Sequence, residues 1–194
     1  MKKIATLAIA AAVMLSFKTT EQSTWALDKA HAKLGFTISH LMVSDIEGSF
    51  KSFDATITAS KEDFSDAVVE MKADVNSINT DNEQRDAHLK GPDFFDATKY
   101  PSITFKSKSF KKTDATNYKV IGDFTMHGVT KTVELNAVCR TGTNPMSKKT
   151  IAGFKVTGTI KRTDFGIGAS MPAAMLGEDV AIVANAEFAK NLLK

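Results

Sequence analysis

A period-two alternation of apolar and polar side chains runs through this chain and limits what it can fold into. In residues 32–41, Leu34, Phe36, Ile38 and His40 share one face, and Lys33, Thr37 and Ser39 take the other. The pattern returns at 50–59 (Phe53, Ala55, Ile57), 67–75 (Val69, Met71, Ala73, Val75) and 102–110 (Ile103, Phe105). It continues at 117–126 (Tyr118, Val120, Phe124, Met126), 129–140 (Val133, Leu135, Ala137, Cys139), 151–161 (Phe154, Val156, Gly158, Ile160) and 180–188 (Val180, Ile182, Ala184, Ala186, Phe188). Successive side chains of a strand point to opposite faces, so these segments predict eight strands, each with one buried face. No long helical crossover separates most of them, so they pair antiparallel. Eight such strands can close into a barrel around one small ligand. A two-sheet sandwich satisfies the same alternation.

Composition narrows the class. Of 194 residues, 43% are hydrophobic and 24% charged, which suits one folded domain and excludes collagen, coiled coil and polytopic membrane architectures. Thirteen Phe stand against two Tyr and one Trp, so most of the aromatic area has no polar handle and calls for a dry interior. The formal charge of +3 is concentrated at the start, where Lys2, Lys3 and Lys18 precede the first acid, Glu21. The rest is near neutral, against a nucleic-acid partner that would need a basic face.

That start reads as an address. A basic Met1-Lys2-Lys3 is followed by an uncharged apolar run over 4–15 and a polar exit over 18–24. The run is short of the roughly 20 residues that span a bilayer, and the order matches a secretory signal over about 1–20. Ala10, Ala12 and Ser16 offer alternative cut sites, and no lipid-anchor cysteine follows the run. Residues 21–194 then form one domain, expected in the periplasm or secreted. The single cysteine, Cys139, cannot make an internal disulfide, and its strand position predicts a buried small hydrophobe.

Two segments interrupt the strands. Residues 80–90 read as a short helix with Thr80 as N-cap and Glu83 at capping-box spacing, stopped by Gly91-Pro92. A turn-rich stretch with Phe94 and Phe95 follows, the two rings either wedging it into the core or forming a lid that contacts a ligand. Residues 166–177, with Met171, Pro172, Met175 and Leu176, form the second excursion. Both belong at barrel ends.

Chemistry-bearing motifs are scarce. The histidines, His31, His40, His88 and His127, form no metal-ligand spacing, and no nucleophile elbow or phosphate loop is present. His40 shares the inward face of Leu34, Phe36 and Ile38, which predicts either a satisfied core histidine or a headgroup contact near the barrel mouth. Arg85 and His88 are helical neighbours, and with Asp86 they predict a network pinning the helix to the barrel.

Several blocks together resemble the YceI-like family of exported, lipocalin-like, polyisoprenoid-binding proteins. They are Trp25-x-x-Asp28-x-x-His31 with Phe36 and His40, Ser77-Ile78-Asn79-Thr80, Arg85-Asp86-Ala87-His88-Leu89, Phe94-Phe95-Asp96, Tyr100-Pro101 through Phe105, Gly122 through Gly128, and Arg162-Thr-Asp-Phe165-Gly166. The resemblance runs from about Trp25 to Phe188. Ala32 stands where the family has serine, and the last strand is rich in alanine.

The resemblance implies an elongated barrel with an apolar tunnel, and the absence of catalytic motifs in the sequence points to binding without catalysis. The implied cargo is a polyisoprenoid lipid or an isoprenoid quinone, with no further cofactor and no metal. Alternation nominates Phe36, Ile38, Phe53, Met71, Phe105, Phe124, Met126, Leu135, Phe154 and Phe188 as lining residues, with His40 as polar contact. His31, Arg85, Asp86 and His88 form the structural set. Transient membrane contact for lipid exchange and a homodimer through an exposed strand or the excursions are compatible with the sequence. Two other readings remain at this stage: an enzyme acting on an isoprenoid or quinone-like lipid through His40 or the Arg85–His88 turn, and a stress-related barrel filled by its own core.

Overall fold

The structure, a computed structural model, describes residues 21–191, so the export signal read over 1–20 lies outside the described residues. Its strands are β1 (Ser23–His40), β2 (Ser44–Phe50), β3 (Phe53–Ala59), β4 (Val68–Asp74), β5 (Ile78–Asn79) and β6 (Ser102–Lys112). They continue with β7 (Asn117–Met126), β8 (Val129–Thr143), β9 (Thr150–Lys161) and β10 (Leu176–Asn191), and one helix, α1 (Glu83–Leu89), lies between β5 and β6. Neighbours pair antiparallel in the order β10-β9-β8-β7-β6-β4-β3-β1, and β10 pairs back onto β1. That closure excludes the sandwich. On its other edge β1 pairs with β3 through residues 23–26 and with β2 through 34–40. β2 and β3 therefore act as one wall strand bent at Lys51-Ser52, and the barrel has eight strands. Closure pairs β1 and β10 with each other, and among the described residues β2 keeps a short edge over 44–48 that pairs only with β1.

All eight strands read from alternation are present. Two stretches escaped it. β1 begins nine residues earlier than read, at Ser23, because a bulge between Asp28 and Ala32 breaks the period there. β2 turns Ile46, Gly48 and Phe50 inward, and a glycine in the middle of the triplet erases the apolar signal.

The helix cap also differs from the reading. Asn82, not Thr80, caps α1, its side chain accepting from the Arg85 N–H at 2.9 Å. Thr80 is buried, and its hydroxyl donates to Asp86 Oδ1 at 2.6 Å instead. A hydroxyl committed to that carboxylate is not free to cap, so the helix starts later.

The lower end, where β1 begins, is closed by aromatic side chains. Phe64, on the β3–β4 loop, packs against Trp25 at 4.9 Å and edge-on to Phe154 at 5.3 Å. Phe154 in turn meets Phe188 at 5.9 Å and Phe110 at 6.1 Å. The polar tips are satisfied: Tyr118 Oη donates to the Asp63 carbonyl at 2.8 Å, and Trp25 Nε1 to Ser23 Oγ at 3.2 Å. Both excursions, residues 75–101 and 162–175, cover the upper end. Cys139 is buried as read, and burial pushes its thiol up to about 11.

Phe64 is 1% exposed and is the hub of the lower plug. Phe64→Ala is expected to cost about 3–5 kcal/mol, the range for deleting a buried phenyl ring. Urea unfolding measures it; a loss below 1 kcal/mol, the level of an ordinary surface change, would show that the plug does not hold that end together.

Candidate functional site

The barrel interior is not filled by its own side chains. It holds a cavity of about 230 Å³. A single buried water needs roughly 10–15 Å³ by the same measure, so the void is far larger than a packing defect. The residues lining it are almost all apolar, and the few polar ones (Thr80, Arg85 and Arg162) come from the upper end.

Three inward glycines explain why a barrel so rich in Phe stays hollow. A Cβ on Gly48 would lie 2.2 Å from the Phe36 ring, one on Gly122 2.5 Å from the Phe105 ring, and one on Gly158 2.3 Å from Leu135 Cδ2. Each large side chain therefore lies flat against the wall over a neighbouring strand's glycine instead of projecting into the lumen. On β10, Ala184 and Ala186 line the lumen and widen it, whereas Ala181 is exposed outside.

All ten residues nominated by alternation, Phe36, Ile38, Phe53, Met71, Phe105, Phe124, Met126, Leu135, Phe154 and Phe188, line this cavity. His40 does not. It is half-buried at the top of β1, opposite Ser44 and Leu176, above the lumen. β1 stays in register with β2 through Ile38, Ser39 and His40, so the alternation holds, but His40 is the last residue of the strand and stands past the lumen, where β10 takes up two extra residues between Val180 and Leu176. Several lining residues were not among those nominated. Phe94, Phe95 and Leu89 descend from the upper excursion, and Val180, Ile182 and Leu176 come from β10. The β10 set carried a legible alternation; the excursion residues carried none.

The four residues grouped as a structural network separate into three places. Arg85 and Asp86 meet at Thr80. Asp86 Oδ1 accepts from the Thr80 N–H (2.9 Å) and hydroxyl (2.6 Å), while Arg85 Nε donates to Thr80 Oγ1 (2.8 Å) and Nη2 to the Thr80 carbonyl (2.7 Å). His88 is exposed and lies edge-on to Phe94 at 4.9 Å. His31 sits on the β1 bulge, with Nδ1 2.9 Å from Asp28 Oδ2. Sequence distance hid this separation, because the bulge lies on the outer wall and α1 lies over the upper end. Arg85 also lines the cavity, which the reading missed. A guanidinium has five N–H donors. Two serve Thr80, and the others have no hydrogen-bond partner among the described residues.

Arg162 is the other cation at this end. It is 2% exposed and faces no carboxylate at salt-bridge distance among the described residues. Instead it donates to five backbone carbonyls: Gly177, Ile167, Gly168, Met171 and Leu176. Desolvation draws its pKa down, with Glu178 opposing. All five donors are used, so its role is to tie the second excursion over the upper end.

Among the described residues one group of three could offer metal ligands: Asp28, His31 and Glu187, whose ligand atoms lie within 4.8 Å of one another on the outer wall. Its visible effect is on protonation. The hydrogen bond that His31 donates to Asp28, and then the charge of that carboxylate, raise the His31 pKa above 6.5, with a smaller contribution from Glu187. The same hydrogen bond, joined by one from the Ala30 N–H, holds Asp28 below the usual carboxylate value.

A closed antiparallel barrel around a nearly all-apolar hollow is the architecture of a barrel that binds apolar ligands. Residues 25–188 match the YceI-like domain, and the chain belongs to that family. A UPF0312 protein of Staphylococcus aureus (strain N315) is 41% identical over 174 residues, covering 86% of this chain and 97% of the relative. The YCEI protein of Campylobacter jejuni, in a crystal form with large solvent channels, superposes with a TM-score of 0.71 at 32% identity, covering 86% of this chain and 97% of that one. Burkholderia cenocepacia BcnA gives 0.74 at 24% identity, covering 83% and 98%, and shares the fold. So does a domain from Saccharophagus degradans described as polyisoprenoid binding, at 0.62 and 16% identity, covering 86% and 98%.

Two measurements check these assignments. Arg162→Lys keeps a charge but offers three donors for five carbonyls, and at about 1–3 kcal/mol per unpaired buried group it is expected to destabilise by at least about 2 kcal/mol in urea unfolding. An NMR titration is expected to place the His31 midpoint above 6.5, with Asp28→Asn returning it towards that value. The sign follows from linkage: the stability this raised histidine supplies is complete below its ordinary pKa and is lost as pH rises through the raised one. An unshifted midpoint would show that the bulge pair does not form in solution.

Proposed function

We propose that this protein is a non-catalytic carrier that holds the isoprenoid chain of a polyprenyl lipid or quinone in its barrel, exported to the periplasm or secreted. The observation that carries the reading is the hollow lumen lined by apolar side chains and kept open by Gly48, Gly122 and Gly158. An isoprenoid chain offers only methyls, methylenes and double bonds, so a dry, narrow channel suits it and polar anchors are needed only at its head. At about 0.8 kcal/mol per buried carbon, each five-carbon unit contributes about 4 kcal/mol before the cost of ordering the chain. The fold of the Saccharophagus degradans domain described as polyisoprenoid binding is compatible with such cargo.

The head of the ligand belongs at the upper end. Arg85 lines the cavity there with unspent N–H groups, next to the buried Thr80. A guanidinium presents a planar fork of donors, which suits a quinone carbonyl or a phosphate oxygen. The lower end, stoppered by aromatic side chains, receives the tail.

Native mass spectrometry of the protein from its own host, followed by organic extraction, tests this. A bound species that fragments in isoprene repeats is expected. Ala184→Phe, which fills the lumen from β10, is expected to abolish that bound mass without lowering Tm. Arg85→Leu is expected to retain hydrocarbon chains and weaken retention of headgroup-bearing ones by roughly tenfold or more, the value of a charge-assisted hydrogen bond. An empty protein that takes up neither added polyprenyl lipid nor quinone would overturn the reading.

A further inference from the structure

The β1–β2 connection makes an unusual choice of residues. Leu41 and Met42 both adopt the left-handed backbone, with φ of 53° and 57°, and the Val43 N–H donates to the His40 carbonyl at 3.2 Å. A turn with two successive positive φ values normally takes Asn-Gly or Asp-Gly, because a side chain there is strained. The β7–β8 hairpin follows that preference in part, using Gly128 at its second left-handed position. The β1–β2 turn instead spends strained backbone on two large apolar side chains.

Those side chains point into solvent. Leu41 is 48% exposed, Met42 75% and Val43 82%. Met175, from the second excursion, is 46% exposed and joins them, its carbonyl accepting from the Leu41 N–H at 3.0 Å. Four of the seven large hydrophobic side chains exposed among the described residues are thus gathered at one spot, which scattered surface exposure does not produce. The spot lies at the upper rim. Directly beneath it, Ile38 pairs with Ile46 and His40 with Leu176, and Ile38, Ile46 and Leu176 line the lumen. An apolar surface therefore runs from the cavity wall up to the tip.

We propose that Leu41, Met42, Val43 and Met175 form a tip that dips into the surface of a lipid bilayer while the barrel loads or unloads its cargo. The proposal rests on the lipid-carrier reading and adds the surface through which exchange occurs. Two features favour a bilayer over a protein. Four side chains offer far less than the roughly 800 Å² per partner of a stable protein interface, whereas insertion into lipid needs only buried apolar area. Residues 39–45 hold no Lys or Arg, and Asp45 is exposed among them, so the tip is suited to an uncharged lipid surface. Contact through so few side chains is brief, as exchange requires.

The test places an environment-sensitive dye on Val43→Cys and, as a control, on Met146→Cys, which replaces a 90% exposed methionine at the opposite end of the barrel. Buried Cys139, with its thiol pushed up to about 11, stays unlabelled. With phosphatidylcholine vesicles, the dye at 43 is expected to shift to the blue and to be quenched by a lipid-borne quencher, while the dye at 146 is unmoved. No shift at 43, an equal shift at both sites, or a shift at 43 that follows protein concentration without vesicles would overturn the proposal. The double variant Leu41→Asn/Met42→Gly restores preferred turn residues. It is expected to keep or raise Tm and to bind as much polyprenyl lipid at equilibrium. Its transfer of that lipid between vesicles is expected to slow at least roughly tenfold, the scale of two lost apolar contacts. Unchanged transfer would overturn the tip's role. The dye experiment needs no cargo, so a barrel that takes up no lipid would sink the carrier reading separately.

Discussion

The pairing of β1 with β10 is the interaction on which the rest of the structure depends. It runs from Thr24–Asn191 to His40–Leu176 and turns an open antiparallel sheet into a ring. Without it the inward faces of β1 and β10 would have no opposing wall, and the apolar side chains over 176–188 would lie at an exposed edge. β1 serves this role because it is 18 residues long and can pair with β10 on one side while β2 and β3 divide the other. The bulge between Asp28 and Ala32 lets so long a strand curve around the barrel. The His31–Asp28 pair sits on that bulge.

Closure alone does not make a container. The ring is sealed below by aromatic rings and bridged above by two excursions, yet its middle stays open. The inward glycines on β2, β7 and β9 allow Phe36, Phe105 and Leu135 to lie along the wall. The upper excursions are held without a salt bridge at their centre: Arg162 gathers five carbonyls, and Asp86 and Thr80 fix the start of α1. Every buried side-chain polar atom among the described residues has a partner, so these charges are fully accommodated. The two ends thus differ in kind, one a dry plug and the other a hydrogen-bonded cover with an apolar rim.

Local rules fail at several places in this chain, and three of them lie at the upper end. Thr80 forgoes its cap for Asp86, the register slips before His40, and Leu41 and Met42 accept left-handed backbone. Strain and broken register of this sort persist only where surrounding contacts hold them, and they tend to mark the working part of a molecule.

Alternation of side chains settled a good deal by itself. It determined eight strands, their inward faces and ten residues of the cavity wall, because period two is imposed by the backbone of each strand regardless of its neighbours. It also placed Cys139 in the core. The same alternation is needed by a filled barrel, a hollow one and a sandwich, so it could not choose among them. That choice was made by tertiary structure: the return of β10 to β1, and the seating of large side chains over glycines on adjacent strands, relations between residues far apart in sequence. His40 stayed out of the predicted site and Arg85 entered it for the same reason, since how far the lumen reaches along β1 and where a short helix docks are decided by packing across the barrel.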